Sequence, residues 1–93
     1  MYDAYLDIET TGLSRYTDDV TVIGIYLVNE REERMVQLVG DDITDENLVN
    51  ALENVETIYT YNGSRFDLPF IDCRVGVDIS ASYHHHDLMY DCW

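Results

Sequence analysis

The stretch YLDIETTGLS, Tyr5–Ser14, decides how the rest of the chain is read. From Tyr2 to Glu9 the residues alternate. Ala4, Leu6 and Ile8 fall on one face, and Tyr5, Asp7 and Glu9 on the other, which is the period of a half-buried strand. Thr10-Thr11-Gly12 then breaks it. Asp7 and Glu9 are two residues apart, so both carboxylates project from the same face, with Glu9 at the carboxyl end beside a turn. Sheets with helical crossovers commonly place ligand sites outside the carboxyl ends of their strands. Two adjacent carboxylates repel unless a cation sits between them, and hard divalent ions take such oxygen ligands. D-x-E also fits an ordinary solvated face, the usual fate of acidic residues.

Working outward, Val20–Val28 (VTVIGIYLV) is nearly all apolar, the pattern of a central strand buried on both faces. Asn29–Arg34 is polar and turn-like, and Met35–Val39 is a third strand that forms a hairpin with the second. The first strand is expected to pair with the second. A helix starts after Ile43. Thr44 caps it, the acids in its first turn suit the helix dipole, and Ile43 with Leu48 can form a hydrophobic staple. Leu48, Leu52 and Val55 continue the apolar stripe. Glu56–Tyr61 is a fourth strand, free to run parallel because a helix precedes it. Asn62-Gly63 ends it. A short helix spans Asp67–Val75 with Pro69 in its first turn. Ile79–His86 reads as a fifth, polar strand, and Asp87 as the N-cap of one more helix. The fold class is therefore α/β, a mixed five-stranded sheet in which strands joined by helices follow an antiparallel trio. The chain, residues 1–93, reads as a single domain. Apolar Leu88, Met89 and Trp93 at its very end suggest an interrupted helix and a domain incomplete at the C-terminus.

Composition narrows the setting. Nineteen acidic residues stand against five basic ones, all arginine, for a net charge of −14. Such a surface repels itself at low salt and is screened by concentrated ions. The composition is similar to that of proteins from salt-accumulating archaea; a merely acidic protein from an ordinary cell is the alternative. The charge argues against nonspecific duplex binding, which rests on basic patches. No apolar run reaches the roughly 18–20 residues that span a bilayer. The N-terminus lacks a signal-peptide pattern, so no membrane is expected and the cytoplasm is favoured. Cys73 and Cys92 form no zinc pattern and read as free thiols of a reducing compartment, with a single disulfide between them as the alternative.

A second stretch, TYNGSRFDLPFI (Thr60–Ile71), puts Asp67 at a helix start just beyond the fourth strand. If that strand lies beside the first, Asp67 converges with Asp7 and Glu9. Its structural alternative is a helix N-cap. Asp7-x-Glu9 followed by Thr-Thr-Gly-Leu, then Asn62-x-x-x-Phe66-Asp67-x-Pro69-Phe70, resembles the first two motifs of the DnaQ-like (DEDD) 3′–5′ exonucleases. These have the ribonuclease H-like fold. The wording YNGSRFDLPF…HHDLMYDCW looks most like the YprB-type ribonuclease H-like family. The resemblance implies that Asp7, Glu9 and Asp67 are three of four metal-binding carboxylates. They would hold two Mg²⁺ or Mn²⁺ ions about 4 Å apart astride the scissile phosphate. It further implies that the Thr10, Thr11, Gly12 and Leu13 segment holds the terminal nucleotide, and that Asn62 and Phe66 help to place the strand. The partner implied is the 3′ end of single-stranded DNA or RNA. Arg65 could meet a phosphate or be a solvated surface residue.

The family's third motif is a Tyr or His followed four or five positions later by the fourth Asp. Tyr83-x-x-x-Asp87 and His86-x-x-x-x-Asp91 imitate it, but too close to Asp67. The chain thus reads as truncated before its catalytic helix, a 3′–5′ exonuclease only if completed downstream and weak or inactive alone. His84-His85-His86 lacks the partners of a zinc site. Two other classes compete: a non-catalytic acidic module that keeps the fold and binds nucleic acid or protein, and a purely structural Ca²⁺ or Mg²⁺ site at Asp7 and Glu9. Oligomeric state is not legible.

Overall fold

The structure, a computed structural model, describes residues 1–91. Cys92 and Trp93, singled out above, lie outside the described residues. Five strands form one sheet in the order β3-β2-β1-β4-β5. They are β1 (Tyr2–Thr10), β2 (Val20–Val28), β3 (Glu33–Val39), β4 (Val55–Thr60) and β5 (His84–Asp87). The helices are α1 (Asp45–Ala51), α2 (Asp67–Val75), α3 (Ile79–Ser82) and α4 (Leu88–Asp91). β1 pairs antiparallel with β2, with Asp7 opposite Gly24, and β2 pairs antiparallel with β3. β4 runs parallel to β1, and β5 parallel to β4. The mixed topology expected from the order of elements is the one observed.

One face of the sheet carries the core. Ala4, Leu6 and Ile8 of β1, Ile23, Ile25 and Leu27 of β2, and Ile58 of β4 are buried against Leu48, Leu52, Leu68, Phe70, Ile71 and Ile79. Burying one such aliphatic side chain contributes about 1.5–3 kcal/mol. The opposite face is open, and this corrects the expectation for β2. Val22, Gly24 and Tyr26 are only half-buried, so β2 is covered on one side. Its apolar run supplies a second apolar face, not a second buried layer.

α1 starts as its sequence dictates: the Thr44 hydroxyl accepts from Asn47 N–H at 3.1 Å. Val55, assigned above to the helix stripe, is instead the first residue of β4. Asn54, with φ of 66°, reverses the chain between them. The fifth strand is shorter than expected. Ile79–Ser82 forms α3, because Asp78 caps it by accepting from Ala81 N–H at 3.3 Å, and β5 begins only at His84. α2 has the expected bounds, but its N-cap is Phe66, so Asp67 is the first helical residue and not the cap. No helix among the described residues is long and apolar enough to cross a membrane.

Candidate active site at the carboxyl end of β1

β1 and β4 pair only as far as Tyr5 opposite Tyr59. Beyond that point the edge of β1 is free for another element. Asp67 arrives there from the first turn of α2, and its carboxylate accepts a hydrogen bond from the Ile8 backbone N–H and another from its own. Ile8 sits between Asp7 and Glu9, so the convergence expected from the two motifs is observed for Asp67 and β1. Asp67 is 4% exposed. Burial first, then the charge of Asp7, pushes its pKa up to about 6; the two backbone hydrogen bonds oppose this, and Asp87 adds a smaller push. Two carboxylates therefore meet here with no basic side chain to neutralise them.

Asp7 and Glu9 point to the open face, where they line a groove of about 720 Å³ with Tyr5, Tyr26, Tyr59 and Leu88. The pairing of β1 with β2 slips between Glu9 and Thr10, and Thr21 donates its hydroxyl to the Glu9 carbonyl at 3.2 Å. Such bulges re-aim side chains at strand ends. Among the described residues, no three His, Cys, Asp or Glu side chains stand ready to enclose a metal ion. The donor set still suits a hard cation. Asp7 and Asp67 offer only oxygens, and a cation would relieve the repulsion that raises Asp67.

The turn after β1 is internally fixed. Thr10 Oγ1 donates to the Gly12 carbonyl at 2.6 Å, and Asp18 accepts from Ser14 N–H at 2.9 Å. At Gly12 a Cβ would stand 2.4 Å from an Asp18 oxygen, so a larger residue there would displace the Asp18 carboxylate from its turn bonds. Thr11 pairs with Asp19, which in turn meets Arg74 of α2 at 2.6 Å. Leu13 projects into solvent, 87% exposed. Asn62 adopts φ of 60°, and its Oδ1 is buried without a hydrogen-bond partner. Phe66 packs on Phe70 at 5.4 Å between ring centroids. Arg65 lies over the Tyr90 ring at 5.4 Å, so its guanidinium already has an aromatic contact.

The histidines divide by face. His85 meets Thr60 Oγ1 at 2.7 Å on the helical side, and His86 stacks on Tyr59 on the open side. Asp87 does more than cap. Its carboxylate accepts from Asn62 N–H at 2.8 Å, Ser64 N–H at 3.0 Å, the Ser64 hydroxyl, and Met89 N–H at 3.1 Å. Burial alone would raise its pKa, but these bonds outweigh burial and hold it below the usual value. Asp87 is thus committed on the helical side and does not act as a fourth ligand to the groove. Sequence reasoning missed one feature. The rings of Tyr26, Tyr5, Tyr59 and His86 follow one another across four strands at 6.2, 5.0 and 5.5 Å. Its signal was the alternation that puts Tyr5 on the face of Asp7, but the neighbouring rings needed the strand register.

The model of the RNase_H superfamily matches residues 4–93. No curated protein matches the chain. Among solved structures, the metal-free form of the Escherichia coli ExoI–ssDNA complex superposes with a TM-score of 0.62 and 18% identity over 95% of this chain and 28% of that one. Brucella melitensis NrnC gives 0.59 and 25% over 82% and 37%. The family B DNA polymerase of the hyperthermophilic archaeon Pyrobaculum calidifontis gives 0.61 and 20% over 80% and 11%. The chain thus spans well under half the length of each. Its β1 and β4–α2 motifs pointed to this fold before any superposition. By the match over nearly its whole length, the chain belongs to the RNase_H superfamily.

Proposed function

We propose that this chain is a metal-dependent 3′–5′ exonuclease-like domain that acts on phosphodiester bonds of single-stranded DNA or RNA. The observation that carries this reading is the placement of Asp67 against the Ile8 N–H beside Asp7, two carboxylates converging without a counter-cation at the carboxyl end of β1. The likeness to ExoI, solved with ssDNA and also in a zinc-ion-bound form, supports it at the level of fold. Asp7, Glu9 and Asp67 would hold Mg²⁺ or Mn²⁺, which supplies Lewis-acid stabilisation of the phosphoryl oxygens and an activated water. The chain's own residues do the placing. The Thr10–Leu13 turn is stiffened by Asp18 and carries the exposed Leu13, and the buried Asn62 Oδ1 has no hydrogen-bond partner within the chain. With Asp87 committed elsewhere, these residues lack a fourth carboxylate, and hydrolysis by the 93-residue chain alone is expected to be weak or absent.

The test is Mn²⁺ titration of the wild type against Asp7→Asn. A site at Asp7 requires clearly weaker binding by the variant, and equal binding removes Asp7 from the proposal. The second reading, a non-catalytic acidic module, draws on the lack of a ready three-group cluster among the described residues. Robust Mg²⁺-dependent degradation of single-stranded DNA by this chain would refute both that reading and the expectation of weak activity.

A further inference from the structure

Asp87 is a buried acid that the proposed chemistry does not use, yet it makes an unusually dense set of bonds. It closes β5, is 7% exposed, and gathers donors from two separate segments. Met89 N–H is local. Asn62 N–H, Ser64 N–H and the Ser64 hydroxyl belong to the turn that follows β4. That turn needs holding. Asn62 is in the left-handed region at φ of 60°, which asparagine tolerates better than other non-glycine residues but which is still less favoured than right-handed backbone. Gly63 is pressed against Thr60 so closely that a Cβ would fall 2.1 Å from the Thr60 hydroxyl. The turn then determines where α2 begins. Asn62 O accepts from Phe66 N–H at 3.0 Å, and Gly63 O accepts from Leu68 N–H at 2.8 Å. These bonds bracket Asp67 on both sides in sequence. Hydrogen bonds therefore run from the Asp87 carboxylate, through the turn, to the start of α2, whose first turn carries the Asp67 carboxylate that accepts from Ile8 N–H of β1.

We infer that Asp87 is a positioning residue: by clamping the Asn62–Ser64 turn it fixes the first turn of α2 and so holds the Asp67 carboxylate against β1 beside Asp7. Charge-assisted acceptance of several N–H and O–H groups makes this clamp stiffer than a neutral one. A displacement of about 1 Å at a metal-binding or reacting group is enough to spoil its function. The metal-related part of this inference rests on the proposed function above, whereas the clamp itself does not.

Amide hydrogen exchange separates the two. In Asp87→Asn, one acceptor oxygen becomes an NH₂ donor facing the donors of Ser64. Protection at Asn62 and Ser64 should fall about tenfold or more, and so should protection at Leu68 and at Ile8, whose acceptor is the Asp67 carboxylate. Ile25 and Leu27, deep in the core, should be unchanged. Ser64→Ala removes a single bond and should give a smaller effect of the same pattern, which keeps the test available if Asp87→Asn folds poorly. Loss of protection confined to Asn62, Ser64 and Met89, with Ile8 and Leu68 as in the wild type, would overturn the inference and reduce Asp87 to a local cap. In Mn²⁺ titration, the Asp87→Asn and Ser64→Ala variants should bind more weakly than wild type at matched folded fraction. In the background of Asp67→Asn, the Asp87 change should add nothing to the loss of Mn²⁺ affinity. A wild type that binds no Mn²⁺ at Asp7 would sink the exonuclease reading, while the exchange pattern would still decide the clamp.

Discussion

Asp67→Asn turns the strain at the site into a measurable stability. In the folded chain the Asp67 pKa is raised from 3.8 to about 6 by burial and by Asp7. Below pH 3.8 both folded and unfolded chains hold the proton, and Asp67 carries no penalty. Between pH 3.8 and 6 the unfolded chain releases its proton while the folded chain keeps it, so unfolding is increasingly favoured. Above pH 6 the full penalty is present. At ~1.4 kcal/mol per unit of pKa it reaches about 3 kcal/mol. The neighbouring groove admits water, and screening brings the expected figure to about 2 kcal/mol. Asparagine keeps an oxygen for the Ile8 N–H and carries no charge. The variant should therefore be more stable than wild type at pH 7.5 without divalent ions, by about 2 kcal/mol, or roughly 8–16 °C in Tm for a domain of this size. The gap should close as the pH approaches 4. Thermal melts by circular dichroism, both proteins in one buffer series with EDTA, suffice, because the general acidity of the surface affects both alike. A variant less stable than wild type at pH 7.5, or a gap independent of pH, would refute the electrostatic reading of Asp67. Added Mn²⁺ should reverse the order, since a cation relieves the repulsion in the wild type alone.

Other perturbations report on other parts. Gly63→Ala forces a methyl group into the Thr60 side chain and should destabilise the domain by about 1–3 kcal/mol, read as a lower Tm. Thr44→Ala removes the cap of α1 and should cost about 1 kcal/mol in urea unfolding, with an unchanged m-value. Breaking the exposed Arg74–Asp19 pair with Arg74→Gln should change stability by less than about 1 kcal/mol, because such pairs are screened. Melting temperature should rise steeply with molar KCl if the net charge of −14 reflects adaptation to salt, and a flat response would remove that idea.

The sheet was legible because its patterns were local. Alternation from Tyr2 to Glu9, the apolar run Val20–Val28, the Thr44 cap and Pro69 in a first helical turn each act within a few residues, and each element formed where they put it. Two features depended on what packs against what. The apolarity of β2 gave no way to tell a covered face from an open one, and Tyr26 finds its ring partner only once β1 and β2 are in register. In sequence, Ile79–His86 reads as one polar strand. The Asp78 cap, three residues before Ala81, tips the first part into a helical turn. At the site, Asp7, Glu9 and Asp67 could be picked out by motif, and the meeting of Asp67 with β1 followed from strand order. The role of Asp87 could not be read this way. A helix cap and a clamp on a turn some 23–25 residues away have the same local sequence, and only the placement of β5 beside β4 separates them.

The distribution of charge bears on the proposed cation site. Arg15, Arg34 and Arg65 lie over tyrosine rings, and Arg74 pairs with Asp19. No arginine figures among the charges that act on Asp67, which are Asp7 and Asp87. A phosphate nearing the end of β1 thus meets carboxylates embedded in an acidic surface, and Coulomb repulsion opposes its approach. None of the charges acting on Asp67 is positive, and cations from solution would invert that field. Nucleic-acid binding by this domain should accordingly depart from the usual law, in which salt weakens binding through release of counterions from phosphates held by Lys and Arg. With no basic patch to release them, monovalent salt should leave affinity level or raise it by screening, and Mn²⁺ should raise it far more at equal ionic strength. A steep loss of single-stranded DNA affinity with added KCl would mean that the strand is held by arginines after all, and that the carboxylate pair of Asp7 and Asp67 is not where its phosphate sits.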